Sequence, residues 1–171
     1  RAEECVFTGN RAQTRGGGLS LYYPMSVEVR GATFYGNEAP SGSGLDADRS
    51  VSLDLSRSIV VEGVQGAAIG LRDGSVVSLS CCDLYHNAGG DWVGSYRTQL
   101  GVDGNISEDP LFCDGTAGDF TLHEGSPCAA ATEPNPECLR LGAHPVACPS
   151  SIVLPDGTGD YPTLQAAADA L

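Results

Sequence analysis

Phe7-Thr8-Gly9-Asn10, Phe34-Tyr35-Gly36-Asn37 and Leu84-Tyr85-His86-Asn87 are one phrase written three times. A Gly-rich phrase alternates with it, as Gly17-Gly18-Leu19, Ser43-Gly44-Leu45 and Ala67-Ala68-Ile69. Aligned two residues before the aromatic, the copies begin at Cys5, Ala32, Ser58 and Cys82, with spacings of 27, 26 and 24 residues. The pairs Val27/Val29, Leu53/Leu55 and Val77/Leu79 keep the offsets of 26 and 24. Columns that repeat in step mean one structural unit stacked on itself.

Within each copy the short segments alternate as strands do. Val27 and Val29 face one way and Glu28 and Arg30 the other, and Leu53/Leu55 flank Asp54 in the same manner. The runs are only ~3–5 residues long between Gly, Asn and Ser, too short for a helical solenoid, which needs ~10 or more residues at helical spacing. Short strands stacked coil on coil describe an all-β parallel β-helix of ~25 residues per coil. Its inward columns are Leu19/Leu45/Ile69, Leu21/Ala47/Leu71, Val29/Leu55/Leu79 and Phe7/Phe34/Val60/Leu84, with Cys5/Ala32/Ser58/Cys82 a small inward column. Coils rise ~4.8 Å each, which sets Cys5 and Cys82 about 14 Å apart, too far for a disulfide. The Asn column turns the chain, since Asn tolerates left-handed backbone angles and its amide bonds to the equivalent Asn above.

The 171 residues carry a formal charge of −13 and no Lys. Such a chain is repelled by phosphate backbones, which argues against nucleic acid as a partner. No apolar run approaches the ~20 residues that span a bilayer, so no membrane insertion is expected of this segment. The repeat is already in phase at Cys5, and the chain opens at Arg1 without Met, which reads as a cut within a larger protein. Cys113, Cys128, Cys138 and Cys148 crowd a loop-rich stretch and are disulfide candidates in an oxidising compartment, with the three pairings left open. Zinc would need short paired spacings such as C-x-x-C, and none occurs, so no metal site is assigned.

The F-x-x-N and G-G-x-[ILV] phrases resemble the repeats of right-handed parallel β-helix proteins of the pectin-lyase-like type. Chlamydial polymorphic outer-membrane proteins and many secreted bacterial repeat proteins carry similar phrases. The resemblance spans residues 1–106 and implies a right-handed coil at the cell surface or outside the cell. Asp109-Pro110-Leu111-Phe112-Cys113 and Gly118-Asp119-Phe120-Thr121-Leu122 resemble the terminal segment of such proteins, so 107–148 reads as a Cys-rich C-terminal cap over the open end of the coil. Asp156 to Ala167 is similar to the opening of pectin methylesterases, where a short helix plugs the start of the coil. On that likeness 149–171 is the truncated start of a second β-helix unit with a short C-terminal helix, or a plug for a neighbouring coil.

Chemistry on such a scaffold sits on outward columns. Asp46 and Asp48 point outward beside Arg72, and Tyr22 shares a column with Asp48 and Arg72. Read sharply, Asp46, Asp48 and Arg72 are catalytic candidates that would bind Ca²⁺ and a uronic-acid substrate, as in pectate-lyase-like sites. Read plainly, they are surface ion pairs, which are common and contribute little. Tyr22, Trp92 and Tyr96 are candidate carbohydrate contacts; packing of the Trp92/Tyr96 loop over the coil end is the other reading. The histidines do not converge, and His86 reads as a solvent-facing turn residue. The expectation is a secreted or cell-surface module without catalysis and without cofactor, structural or adhesive or in contact with polysaccharide. The alternative is a polysaccharide lyase or glycoside hydrolase, with its chemistry on the Asp46/Asp48/Arg72 face or on coils not present. A self-associating fibre element is a third reading.

Overall fold

The computed structural model describes residues 1–148, so the expectations for 149–171, including the short C-terminal helix, lie outside the described residues. The chain winds a parallel β-solenoid of about three turns with about 26 residues per turn. Strands β1 (Ala2–Glu3), β2 (Val6–Thr8) and β3 (Leu19–Tyr22) open it, followed by β4 (Ser26–Arg30), β5 (Thr33–Tyr35) and β6 (Leu45–Asp48). The third set is β7 (Ser52–Ser56), β8 (Ile59–Val61) and β9 (Ile69–Leu71), and the last is β10 (Val76–Ser80) and β11 (Asp83–Tyr85). Like strands stack into three parallel sheets, in the orders β1-β4-β7-β10, β2-β5-β8-β11 and β3-β6-β9.

The register places Phe7 on Phe34 on Val60 on Leu84, Val29 on Leu55 on Leu79, and Leu19 on Leu45 on Ile69. These are the inward columns of the sequence, and they form one core in which Phe34, Leu45, Leu53, Leu55, Leu79 and Leu84 are fully buried. The Phe7 and Phe34 rings stack with centroids 4.6 Å apart, one coil rise. Corners between strands use left-handed backbone. Gly9, Gly36, Glu62 and His86 hold φ of 62°, 62°, 57° and 56° in one column. Asn10 Nδ2 donates to Asn37 Oδ1 at 3.0 Å, and Asn37 Nδ2 donates to the Phe7 carbonyl at 2.8 Å. One coil on, Gly63 replaces the Asn, and Asn87 Oδ1 accepts its backbone N–H at 3.0 Å.

The open C-terminal end of the coil is closed by 89–106, not by the Cys-rich stretch. The edge of β9 is met by Tyr96, whose hydroxyl donates to the Ile69 carbonyl at 3.0 Å. The edge of β10 is met by the Gln99 amide, which accepts from Leu79 N–H at 2.8 Å and donates to the Val77 carbonyl at 3.0 Å. The edge of β11 is met by Ile106 backbone, which donates to the Cys82 carbonyl at 2.8 Å. Asn105 Oδ1 accepts from Cys82 N–H at 2.9 Å. Each unpaired strand edge is thereby occupied, which blunts strand addition at this end.

Residues 107–148 instead lie along the outer side of the β2-β5-β8-β11 sheet. Ile59 and Val61 point away from the tube, yet are buried against Leu122, Cys128 and Leu141, with Tyr35, Phe112 and Phe120 clustered beside them. This lateral cover carries the antiparallel hairpin β12 (Phe112–Asp114) and β13 (Asp119–Leu122). Two disulfides pin it: Cys113–Cys148 within the cover and Cys81–Cys138 from cover to coil. The four-cysteine set expected from the sequence is corrected here, because Cys128 is a buried free thiol and Cys81 takes its place. Cys81 sits at a left-handed corner, φ 51°, which turns it outward while its neighbour Cys82 enters the core.

The cover also buries Asp83. Its Oδ1 accepts from Glu108 N–H at 3.1 Å, and its Oδ2 lies 3.3 Å from the Cys128 thiol. Burial raises this carboxyl to about 8, with Asp91 and Glu108 adding to the rise and the Glu108 N–H and Cys128 bonds opposing it. The unfolded acid titrates near 3.8, so the folded state holds the proton more tightly over the interval from about 4 to about 8. Asp83's contribution to stability is therefore whole below about pH 4 and is progressively lost as pH rises to about 8. Asp83→Asn, which mimics the protonated acid, is expected to melt higher than the parent at about pH 8 and to flatten the fall in Tm between about pH 5 and 8. Thermal unfolding followed by circular dichroism checks this, and an unchanged pH slope would refute it. Non-reducing peptide mapping is expected to find Cys81–Cys138 and Cys113–Cys148, with Cys82 and Cys128 alkylated only after unfolding.

Candidate functional site

The outer face of β3-β6-β9 carries Ser20, Asp46 and Gly70 in one column and Tyr22 and Asp48 in the next, with Arg72 directly after β9. Alternation along β6 sends Leu45 and Ala47 into the core and both carboxylates outward, as the pattern predicts. Outward does not mean solvated here. Asp46 is 0% and Asp48 4% exposed.

Two chain features cover them. The linker before β3 returns across the sheet, where Arg15 bridges to Ser41 and its guanidinium pairs with Asp48 Oδ2. Ser41 Oγ donates to Asp46 Oδ2 at 2.8 Å, and Arg72 Nε approaches the same oxygen at 3.8 Å. A Cβ on Gly70 would come within 2.3 Å of Asp46 Oδ2, so the Asp46 carboxylate fills the space left by the missing side chain. Burial lifts the Asp46 carboxyl above its ordinary range, against the Ser41 hydrogen bond, Arg72 and Arg15, while Asp48 adds to the rise. Asp46 Oδ1 and Asp48 Oδ1 are both buried, without a hydrogen-bond partner among the described residues.

The expected grouping of Asp46, Asp48 and Arg72 is thus assembled, but with changed pairing. Arg72 reaches Asp46, whereas Asp48 belongs to Arg15, a residue that sequence reasoning did not single out. Arg15 lies in a linker 33 residues before Asp48, outside the repeated phrases of the sequence. Cavities of about 480 Å³ beside Asn105 and Pro134, about 480 Å³ along Val27 and Asp54, and about 190 Å³ between Glu4 and Arg57 are lined by neither carboxylate. Among the described residues no group of three or more His, Cys, Asp and Glu is placed to hold a metal ion.

The carbohydrate candidates separate. Tyr96 is 2% exposed and presents no face to a sugar, while Trp92 is half-buried and its Nε1 donates to the Ile106 carbonyl at 3.1 Å; both pack over the coil end, the other reading of this loop. Tyr22 lies under Arg49, 4.8 Å from the ring centroid, and meets Tyr23 edge-on at 4.6 Å. Tyr23, 61% exposed, is the aromatic surface that this corner offers to solvent. His86 is exposed as expected, and its Nδ1 lies 2.8 Å from Glu62 Oε1, which raises its pKa.

Fold and site together define a parallel β-solenoid with a disulfide-pinned lateral cover and a buried carboxylate–arginine cluster on a second side. The chain matches no protein-family model, no curated protein and no solved structure.

Removing Arg15 would leave Asp48 buried without its cation. Breaking a buried pair costs ~3–5 kcal/mol, and the one-third exposure of Arg15 lowers the expectation for Arg15→Met to about 2 kcal/mol. Arg72→Met, at a longer and more exposed contact, is expected to cost less than about 1 kcal/mol. Adding Asp48→Asn to Arg15→Met is expected to restore part of the loss. Urea unfolding of the parent, Arg15→Met, Asp48→Asn and the double variant checks the cycle, with Arg72→Met measured beside them.

Proposed function

We propose that this chain is a non-catalytic module of a secreted or cell-surface protein, a right-handed β-helix of pectin-lyase-like type with a structural or adhesive role and contact to polysaccharide. The observation that carries the reading is the state of Asp46 and Asp48: both are buried, and each already has an arginine partner. A polysaccharide-cleaving site needs carboxylates that reach the glycosidic linkage or a substrate-bound Ca²⁺, and these face arginines instead. The two disulfides suit an oxidising compartment, and no helix among the described residues is long and apolar enough to cross a membrane. Tyr23, beside the Arg49-covered Tyr22, is the surface this reading assigns to sugar contact.

The enzyme reading is tested directly. Incubation with polyuronate and Ca²⁺ is expected to release no 4,5-unsaturated product. Turnover that Asp46→Asn or Asp48→Asn abolishes would replace the proposal with a lyase acting on this face.

A further inference from the structure

The ladder column Glu4/Gly31/Arg57/Cys81 runs along the corner between the first and second sheets, linked by Glu4 N–H to the Arg30 carbonyl at 3.0 Å and Gly31 N–H to the Ser56 carbonyl at 2.9 Å. One rung of it has no side chain. Gly31 holds φ 63°, and a Cβ there would meet nothing closer than 3.5 Å. Coil spacing puts Glu4 and Arg57 about 10 Å apart with that gap between them. Beside this gap, where a Gly31 Cβ would face the Glu4 side chain, lies a cavity of about 190 Å³ lined by Glu3, Glu4, Arg30 and Arg57.

Three of the nine arginines meet at this corner of an otherwise acidic chain. Arg30 ends β4 on its outer face, and Arg57 follows β7. The lateral cover adds the third, because Gly142 N–H donates to the Arg57 carbonyl at 2.8 Å and carries Arg140 alongside. Among the described residues neither Arg30 nor Arg57 has a carboxylate within ion-pair distance, while Arg140 pairs with Glu4 at 3.3 Å. Nε of Arg30, Arg57 and Arg140 is in each case buried and without a hydrogen-bond partner among the described residues. Burial, and then its neighbours Arg30 and Arg140, depress the Arg57 pKa, with Glu4 and Glu3 opposing the fall. Of the two acids lining the cavity, Glu4 is engaged by Arg140 and Glu3 by Arg1, which leaves the two positive charges of Arg30 and Arg57 facing a gap the size of one side chain.

We propose that this corner is an oxyanion-binding cleft, in which Arg30, Arg57 and Arg140 grip a doubly charged oxyanion, sulfate or a phosphate monoester, at the Gly31 gap. Planar guanidinium forks match such oxygens in geometry, and two net charges match a dianion. The site is distinct from the Asp46/Asp48 cluster and does not depend on the proposed function above.

The test follows the arginine Nε–Hε resonances of the whole chain by NMR, at ionic strength held constant with sodium chloride. Inorganic sulfate and inorganic phosphate are each titrated, with acetate as the monoanion control. Saturable shifts confined to Arg30, Arg57 and Arg140, at least about tenfold weaker for acetate, are expected. A response to only one dianion supports the cleft and identifies its ligand. Gly31→Asn keeps a left-handed backbone but fills the gap, and is expected to weaken binding at least about tenfold with all three arginines intact. Arg57→Gln is expected to do the same, and Arg11→Gln to leave binding unchanged. Shifts that are absent, non-saturable or shared by Arg11, or a Gly31→Asn protein that binds as the parent does, would overturn the proposal.

Discussion

Parallel stacking forces every strand of a coil to find its hydrogen-bond partners in the coils above and below, never within its own turn. Inside the solenoid this is automatic, and it explains why one phrase can be written repeatedly with drifting spacing: 27, 26 and 24 residues all return the chain to the same register. At the last coil the requirement has no repeat left to meet it. The chain answers with three chemically unrelated groups, a phenol on β9, a carboxamide on β10 and a backbone segment on β11. Gln99 is the most economical of these, since one amide supplies the donor and the acceptor that a whole further strand would have presented. A coil end occupied in this way does not add another coil, which weighs against end-to-end fibre growth from this face.

The same constraint decides what could be read in advance. Inward columns were legible because period-two alternation and a repeat of about 26 residues report the same face independently, as Val29, Leu55 and Leu79 do. Lateral contacts were not, because they join the repeat to chain that does not repeat. Ile59-Val60-Val61 carries the trace of it: three successive apolar residues, all buried, mean that both faces of β8 are covered. Only Val60 is explained by the tube. Asp83 leaves no trace at all, since an outward acid between Cys82 and Leu84 looks solvated until Glu108 and Cys128, 25 and 45 residues later, close over it. The candidate cluster was half legible for the same reason. Asp46 and Asp48 sit on a strand and follow its alternation, while the Arg15 that neutralises Asp48 sits on a linker outside the repeated phrases.

Charge is distributed by burial rather than by count. With 22 acids and nine arginines the chain has few cations to spend, yet Arg15 and Arg72 go to carboxylates that are barely exposed or not exposed at all. In a low-dielectric setting an unpaired carboxylate is far more costly than one in water, so the scarce cations stand where repulsion and desolvation are largest. Asp83 takes the other route. With no cation in its pocket it holds a proton instead, and its raised pKa is the electrostatic equivalent of an ion pair that was never built.

Corners, more than strand faces, are where this scaffold displays chemistry. Strand positions alternate between a core that must stay apolar and an outer face that neighbouring linkers cover, as Asp46 shows. A left-handed corner residue instead points away from both adjoining strands. Glu62 and His86 meet there in one column, Arg57 and Cys81 in another, and Tyr23, at φ 83°, in a third. Left-handed backbone disfavours most side chains by ~1–2 kcal/mol, so glycine is the cheap occupant, as at Gly9, Gly31 and Gly36. Some corners carry a side chain in spite of that strain. At Cys81 it forms a disulfide and at His86 an ion pair. At Arg57 the side chain faces Arg30 and Arg140, a repulsion that Glu4 and Glu3 oppose in part.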